Sequence, residues 1–443
     1  MFSRKDLFKL IVPLIIEQIL TVIVGLVDSI MVSHVGEAAV SGVSLVDSIN
    51  ILLIGLFGAL ATGGAVVAAQ FLGQKKSKEA CVAGEQLEVA VLGLSIILMI
   101  VALLFGNTIL QLLYGKVDSD VMEYARTYLF YSALAFPLIA LYNSSASLFR
   151  TMGNSFVSMK VSLAMNIIHV IMNATFIYGL GLGVKGAAIS TLISRTFAAV
   201  TLLILLKNKK HLIHIGKLKD YRIDLCMIKK ILRIGVPNGL ENSIFQIGKI
   251  LVQGIVAGLG TSSITAYSVA NTLAGIGVLP GAAIGLSLIT VIGQCMGAGD
   301  YDGVKIYTKK LLKVSYIIMG FLNLFLLILA PFILKIYHFS PETTKIATII
   351  IIYHCVICSI IWPLSFALPN ALRATNDVQF TMIVSIFSMW TWRIAACYIL
   401  VVHFNLGVLG VFIAMTIDWL FRSICFVLRF RKERYRRIVS VDL

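Results

Sequence analysis

This chain is short of charge. Asp, Glu, Lys and Arg make up 13% of its 443 residues, against 59% hydrophobic, where a soluble domain carries about a quarter charged residues. That shortage excludes an ordinary soluble fold. Also missing are GxSxG, HExxH and Walker A motifs, and any GxGxxG between a strand and a helix. Soluble-enzyme chemistry therefore has no foothold, and the chain reads as a non-enzyme without a bound cofactor. No low-complexity segment appears. A metal centre lacks ligands: Cys355 and Cys358 flank His354, but no second Cys/His pair closes a tetrahedral site.

What is present is apolar length. Leu10–Met31, Leu87–Phe105, Thr191–Leu206 and Val314–Ile333 carry few or no charges, and a helix needs roughly 20 apolar residues to cross a core of about 30 Å. The opening run is too long for a signal peptide and is interrupted by Glu17 and Asp28. The pattern predicts an all-α integral membrane protein with about twelve crossings: 10–33, 43–72, 85–106, 124–148, 158–180, 186–207, 231–258, 264–295, 310–334, 346–370, 381–402 and 406–428.

The chain also repeats itself. Pro13, Glu17, Gly36, Gln70 and Gly73 recur as Pro237, Glu241, Gly260, Gln294 and Gly297, each 224 residues on. Gly183 and Gly186 recur as Gly407 and Gly410 in the same register, and Arg150 recurs as Arg373 with a slip of one. Two pseudo-symmetric six-helix lobes follow: 1–206, then a basic linker over 207–230, then 231–443 with its tail. A duplicated membrane bundle is the architecture of a transporter with its site between repeats.

The formal net charge of +16 suggests nucleic acid until the charges are located. Arg4, Lys5 and Lys9 precede the first crossing. Lys75, Lys76 and Lys78 follow the second, Lys217, Lys219 and Arg222 lie in the linker, and Arg434 and Arg437 lie in the tail. The alternate loops hold only Lys116, Arg126, Lys185, Lys335 and Lys345. This positive-inside pattern places both termini and the linker in the cytoplasm of a cell-membrane protein, expected to be monomeric, and argues against nucleic-acid binding. The polar tail beyond Phe430 is expected to fray. Gly63-Gly64, Pro137, Pro280-Gly281, Pro363 and Pro369 are expected to break or kink their helices.

Polar residues inside the crossings are the functional candidates, because a charge at the bilayer centre costs about 2.5–3.5 kcal/mol. Glu17, Thr21 and Asp28 fall on one stripe of the first crossing, and Asn166, His169 and Asn173 on one face of the fifth. Thr191 and Ser194 lie on the sixth. A carboxylate with amide and hydroxyl oxygens suits a hard monovalent cation or a proton relay, and His169 can pass protons. Asp47 and Asn50 lie on the second crossing, and Asn271 repeats Asp47. Glu17, Asp47, Glu241, Asn271, Gln246 and Lys249 are the candidates for a substrate cavity, Lys249 seeking Glu241 or Asp47 as its carboxylate. Arg393, Asp418 and Arg422 read as structural or gating, with Asp418 and Arg422 four apart and able to pair.

These residues carry a resemblance. Val24-Gly-Leu-Val-Asp28-Ser-Ile-Met-Val-Ser-His-Val-Gly36 resembles the first-helix signature of the multidrug and toxic compound extrusion transporters. So do Gln70-Phe-Leu-Gly73 with Gln294-Cys-Met-Gly297, and Leu148-Phe-Arg150-Thr-Met-Gly153-Asn154 with Leu372-Arg373-Ala-Thr-Asn376-Asp377. Asn173-Ala-Thr-Phe-Ile-Tyr-Gly179 is similar to the family's fifth-helix ending. The resemblance implies two lobes around a V-shaped cavity and export of cationic or amphipathic compounds against proton or sodium entry. Its cation site carries over onto Asp28, Asn173 and Thr191. Where the family places asparagine one turn earlier, this chain has His169, which counts against sodium and leaves protons open. A glutamate that some members use in the seventh helix is Phe245 here.

Three rivals stand beside that reading. A flippase for lipid-linked saccharides needs deep arginines for pyrophosphate, and the deep basic residues are few: Arg195, Lys249, Arg393 and Arg422. A membrane enzyme or respiratory subunit needs clustered histidines, whereas His34, His169, His338, His354 and His403 are scattered over the chain. A major-facilitator transporter expects a basic signature that Gly73-Gln-Lys-Lys-Ser-Lys does not match.

Overall fold

The computed structural model describes residues 2–115, 117–216, 222–336 and 339–436. Lys116, Lys217, Lys219, His338 and Arg437, weighed above, lie outside them. Every regular element among the described residues is helical, as a chain crossing lipid requires. Hydrocarbon offers no partner to a free N–H or C=O, and each unsatisfied group costs several kcal/mol there.

The chain forms two compact units, dividing between Gly239 and Leu240. The first holds α1 (Arg4–Ser33), α2 (Glu37–Gly73), α3 (Ser77–Tyr114), α4 (Ser119–Thr151), α5 (Ser155–Ala174, ending in a π-helical turn Thr175–Gly179) and α6 (Gly183–Leu206). The dividing point falls inside α7 (Leu225–Ala257) rather than in the linker. The second unit continues with α8 (Thr261–Gly277), α9 (Leu279–Gly297), α10 (Tyr301–Ile336), α11 (Pro341–Trp362) and α12 (Leu368–Ala374). It ends with α13 (Val378–Ser388), the short α14 (Ala396–Tyr398) and α15 (Gly407–Arg431).

Among the described residues, eleven helical segments are long and apolar enough to cross a membrane. The expected seventh crossing is not among them, although α7 is a continuous helix of 33 residues. Its Asn242, Gln246, Lys249 and Gln253 make it too polar. Contiguous apolar faces such as Phe321, Phe325, Ile328 and Phe332 on α10 are exposed. They recur at helical spacing and are the lipid-facing side.

Packing in the first unit centres on α4, which contacts α2, α3 and α6, while α1 lies on α5. Small residues permit this: Ser144, Ser145, Ala146 and Ser147 are all buried on α4. In the second unit α9 packs on α10 and α12, and α8 on α11.

The repeat marks positions where the backbone demands glycine. Gly183 and Gly407 open equivalent helices with φ of 54° and 55°, in the left-handed region that a Cβ disfavours. The expected breakers behave differently from one another. Pro280 does end a helix, because the chain breaks between α8 and α9 with the proline in the first turn of α9. Pro363 opens a π-helical turn, Pro363–Ala367. Pro137 stays inside an uninterrupted α4. Gly63 does not break α2: a Cβ there would lie 2.6 Å from the Ile231 carbonyl oxygen, so its glycine admits the backbone of α7.

The linker is docked over its described residues. Gly216 N–H donates to Glu85 at 2.8 Å, Gln86 donates to the Arg222 carbonyl at 2.8 Å, and Asp224 N–H donates back to Gln86 at 3.0 Å. Ile213 is fully buried. The tail, expected to fray, is also held as far as Arg436. Tyr435 is buried, and Arg436 pairs with Asp302 at 2.6 Å.

Candidate cation site

The stripe expected along α1 splits in two. Glu17, at 7% exposure, turns into the first unit. It accepts from Tyr142 and Ser158 at 3.2 Å each and pairs with Arg150 at 3.5 Å. Thr21 donates to the Glu17 carbonyl within the helix. Asp28, two turns beyond Thr21, meets α5 instead.

His169 Nε2 stands 2.8 Å from both Asp28 carboxylate oxygens. Asn173, one turn along the same face, donates its amide N–H to Asp28 at 2.7 Å. Nδ1 of His169 lies 3.3 Å from the Ser194 hydroxyl, which donates to the Thr191 carbonyl at 3.0 Å. In the tautomer that carries its proton on Nε2, the ring donates to Asp28. The arrangement sets an imidazole directly against a carboxylate. His169 is buried while the Asp28 side chain keeps 35% exposure, so the carboxylate is the open end of the pair.

A cavity of about 290 Å³ opens beside this pair. Thr191 lines it, its hydroxyl donating to the Ala187 carbonyl at 3.1 Å. Asp47 and Asn50 line the same space; Asn50 donates to Asp47 at 3.3 Å and to Ser132 at 3.4 Å. Tyr128, a residue the sequence did not single out, also lines the cavity. Arg195 completes the wall. Its position one turn after Thr191 was a usable signal; one tyrosine among 15 was not.

Of the expected cation ligands, Asp28, His169, Asn173 and Thr191 therefore converge, and Asp47 joins them. Glu17 and Glu241, expected at a substrate cavity, are each a buried acid held by arginine. Glu241 pairs with Arg373 at 2.8 Å and Arg422 at 3.6 Å. A buried carboxylate without a cation is costly, and these arginines supply the compensation. The expected Asp418–Arg422 pair is likewise replaced. Asp418 accepts from Ser388 at 2.6 Å and pairs with Arg393 at 3.5 Å. Lys249 has no carboxylate within 4.0 Å among the described residues and stands 5.2 Å from the Phe245 ring centre instead. Gln246 is half-buried on α7 and Asn271 exposed on α8.

Hard cations take oxygen ligands. Asn173 turns an amide N–H to Asp28, and its amide oxygen is buried without a hydrogen-bond partner.

A duplicated helical membrane protein with an acid–imidazole pair inside a polar cavity has the build of a membrane carrier. The MatE family model matches residues 13–175 and again 237–399, in the register of the internal repeat, and the chain belongs to that family. It is 26% identical to the uncharacterized transporter YisQ of Bacillus subtilis strain 168, over 97% of this chain and 94% of the relative. It is 23% identical to the probable multidrug resistance protein NorM of Thermotoga maritima, over 98% and 93%. Among solved structures, the crystal structure of MATE in the straight conformation superposes with a TM-score of 0.90 at 20% identity, covering 98% of this chain and 96% of that one.

Proposed function

We propose that this protein is a secondary multidrug exporter of the cell membrane that trades proton entry for efflux of cationic or amphipathic compounds. The observation that carries the reading is the Asp28–His169 contact inside the polar cavity. Family membership and relatives named as multidrug resistance proteins support the efflux part. Protonation at Asp28 neutralises the carboxylate and weakens its hold on His169 and Asn173. That loosens α1 from α5, and Asp47 on the opposite wall then offers the remaining negative charge to a cationic substrate. Each monovalent charge moved down the membrane potential supplies about 2.3 kcal/mol per 100 mV. The termini lie in the cytoplasm and the protein acts as a monomer.

The test is dye efflux in proteoliposomes with proton and sodium gradients imposed separately. Proton-driven efflux is expected, and Asp28→Asn is expected to abolish it while the protein still reaches the membrane. Undiminished gradient-driven efflux by that variant would remove Asp28 from the mechanism.

A further inference from the structure

The second unit carries a charge imbalance that its own fold does not resolve. Four cationic side chains, Lys249, Arg373, Arg393 and Arg422, answer to two carboxylates, Glu241 and Asp418. Arg373 takes Glu241 at 2.8 Å, while Arg422 reaches the same acid only at 3.6 Å and Arg393 reaches Asp418 only at 3.5 Å. Nε and Nη1 of both Arg393 and Arg422 are buried without hydrogen-bond partners. Such donors are expensive to leave unmet.

The surplus is gathered at one place. The Lys249 ammonium and the Arg393 and Arg422 guanidinium carbons lie 5.2, 5.9 and 5.8 Å from the Phe245 ring centre. The ring face partly shields the cations from one another but supplies no counter-charge. Lys249 is accessible at the surface of α7 and shares a stripe with Gln246 and Gln253. A polar stripe that carries an ammonium group does not face hydrocarbon at tolerable cost, so it faces water and whatever the water carries.

We propose that Lys249, Arg393 and Arg422, gathered on Phe245, bind the anionic group, carboxylate or phosphate, of an amphipathic substrate. Guanidinium forks suit the two oxygens of such a group, and the ring offers an apolar surface to the rest of the molecule. The inference rests on the transport reading above and narrows it. With this cluster the second unit is equipped for anionic amphiphiles.

The experiment is equilibrium binding by fluorescence anisotropy to the purified full-length protein in nanodiscs. The probes are a rhodamine with a free carboxylate and its methyl ester, which differ only at the group in question. Lys249→Gln is expected to lower the acid-to-ester affinity ratio about tenfold, as the loss of one charge-assisted hydrogen bond predicts, and Lys249→Arg to restore it. Lys249 has no ion pair to lose, so the fold should survive; Lys249→Met serves if the glutamine variant does not purify. An unchanged ratio overturns the proposal. A second arm compares nanodiscs with and without phosphatidylglycerol. A Lys249-dependent ratio in both bilayers supports a substrate site. Its disappearance where the anionic lipid is present assigns the cluster to a lipid headgroup and overturns the substrate assignment. Binding needs no ion gradient, so its failure is distinct from failure of coupled efflux in the Asp28 variant.

Discussion

The buried acids at repeat-equivalent positions allow one substitution to be made twice in the same molecule with different expected costs. Glu241 holds two arginines, and the three side chains keep 6%, 9% and 3% of their surface. Removing one partner of a buried pair costs about 3–5 kcal/mol, because it strands the other charge. Glutamine preserves shape and one acceptor oxygen, so Glu241→Gln should fall at the lower end, about 3 kcal/mol. Glu17 stands farther from its arginine, at 3.5 Å, and the Arg150 side chain keeps 14% of its surface. Tyr142 and Ser158 also donate to Glu17, one to each carboxylate oxygen; glutamine keeps one of these acceptors, and the other hydroxyl can turn to accept from the amide N–H. Glu17→Gln should therefore cost about 1 kcal/mol. For a unit of roughly two hundred residues each kcal/mol lowers Tm by about 2–4 °C. The expected losses are about 6–12 °C for Glu241→Gln and about 2–4 °C for Glu17→Gln. Thermal unfolding of the purified variants in one detergent measures both. Adding Arg373→Met to Glu241→Gln should cost less than the two changes summed, since the stranded cation is gone. Equal losses at the two acids, or strict additivity at Glu241 and Arg373, would show that the arginine pairing is not what holds the second unit.

Two further outcomes follow from the geometry. His169→Asn replaces a ring donor by an amide whose oxygen can face Asp28, so sodium-driven efflux should appear and proton-driven efflux fall; efflux in separately imposed gradients decides it, and an unchanged ion preference would detach His169 from ion choice. Gly63→Val drives a side chain into the α7 backbone at the Ile231 carbonyl and Gly235 N–H, 2.6 and 2.8 Å from a Cβ. Backbone cannot give way as a rotamer does, so a loss of about 2–3 kcal/mol is expected; an unshifted melting curve would show that α2 and α7 are not packed so closely.

How much of this was legible in the sequence depends on what each residue does. Apolar length gave the helices and the 224-residue register gave the duplication, because both are properties of the chain alone. The polar stripe on α1 was visible, but its division was not: which carboxylate meets an arginine and which meets a histidine depends on the face α5 and α4 present, a tertiary fact. The register explains the outcome once the contacts are known. Glu17 with Arg150 and Glu241 with Arg373 repeat, and in both units they hold helices together. His169 and Ser194 correspond in register to Arg393 and Asp418. The contact survives in both units, at 3.3 Å between Ser194 and His169 and 3.5 Å between Arg393 and Asp418, while the chemistry changes. In the first unit the ring keeps a free nitrogen for Asp28. In the second the register places Val252, buried on α7, where Asp28 would be, and the arginine closes on Asp418. Only the first unit therefore sets an imidazole against a carboxylate of its opening helix. The second closes the same register with an arginine–carboxylate pair, so the two halves of the duplicated chain part in chemistry where they agree in register.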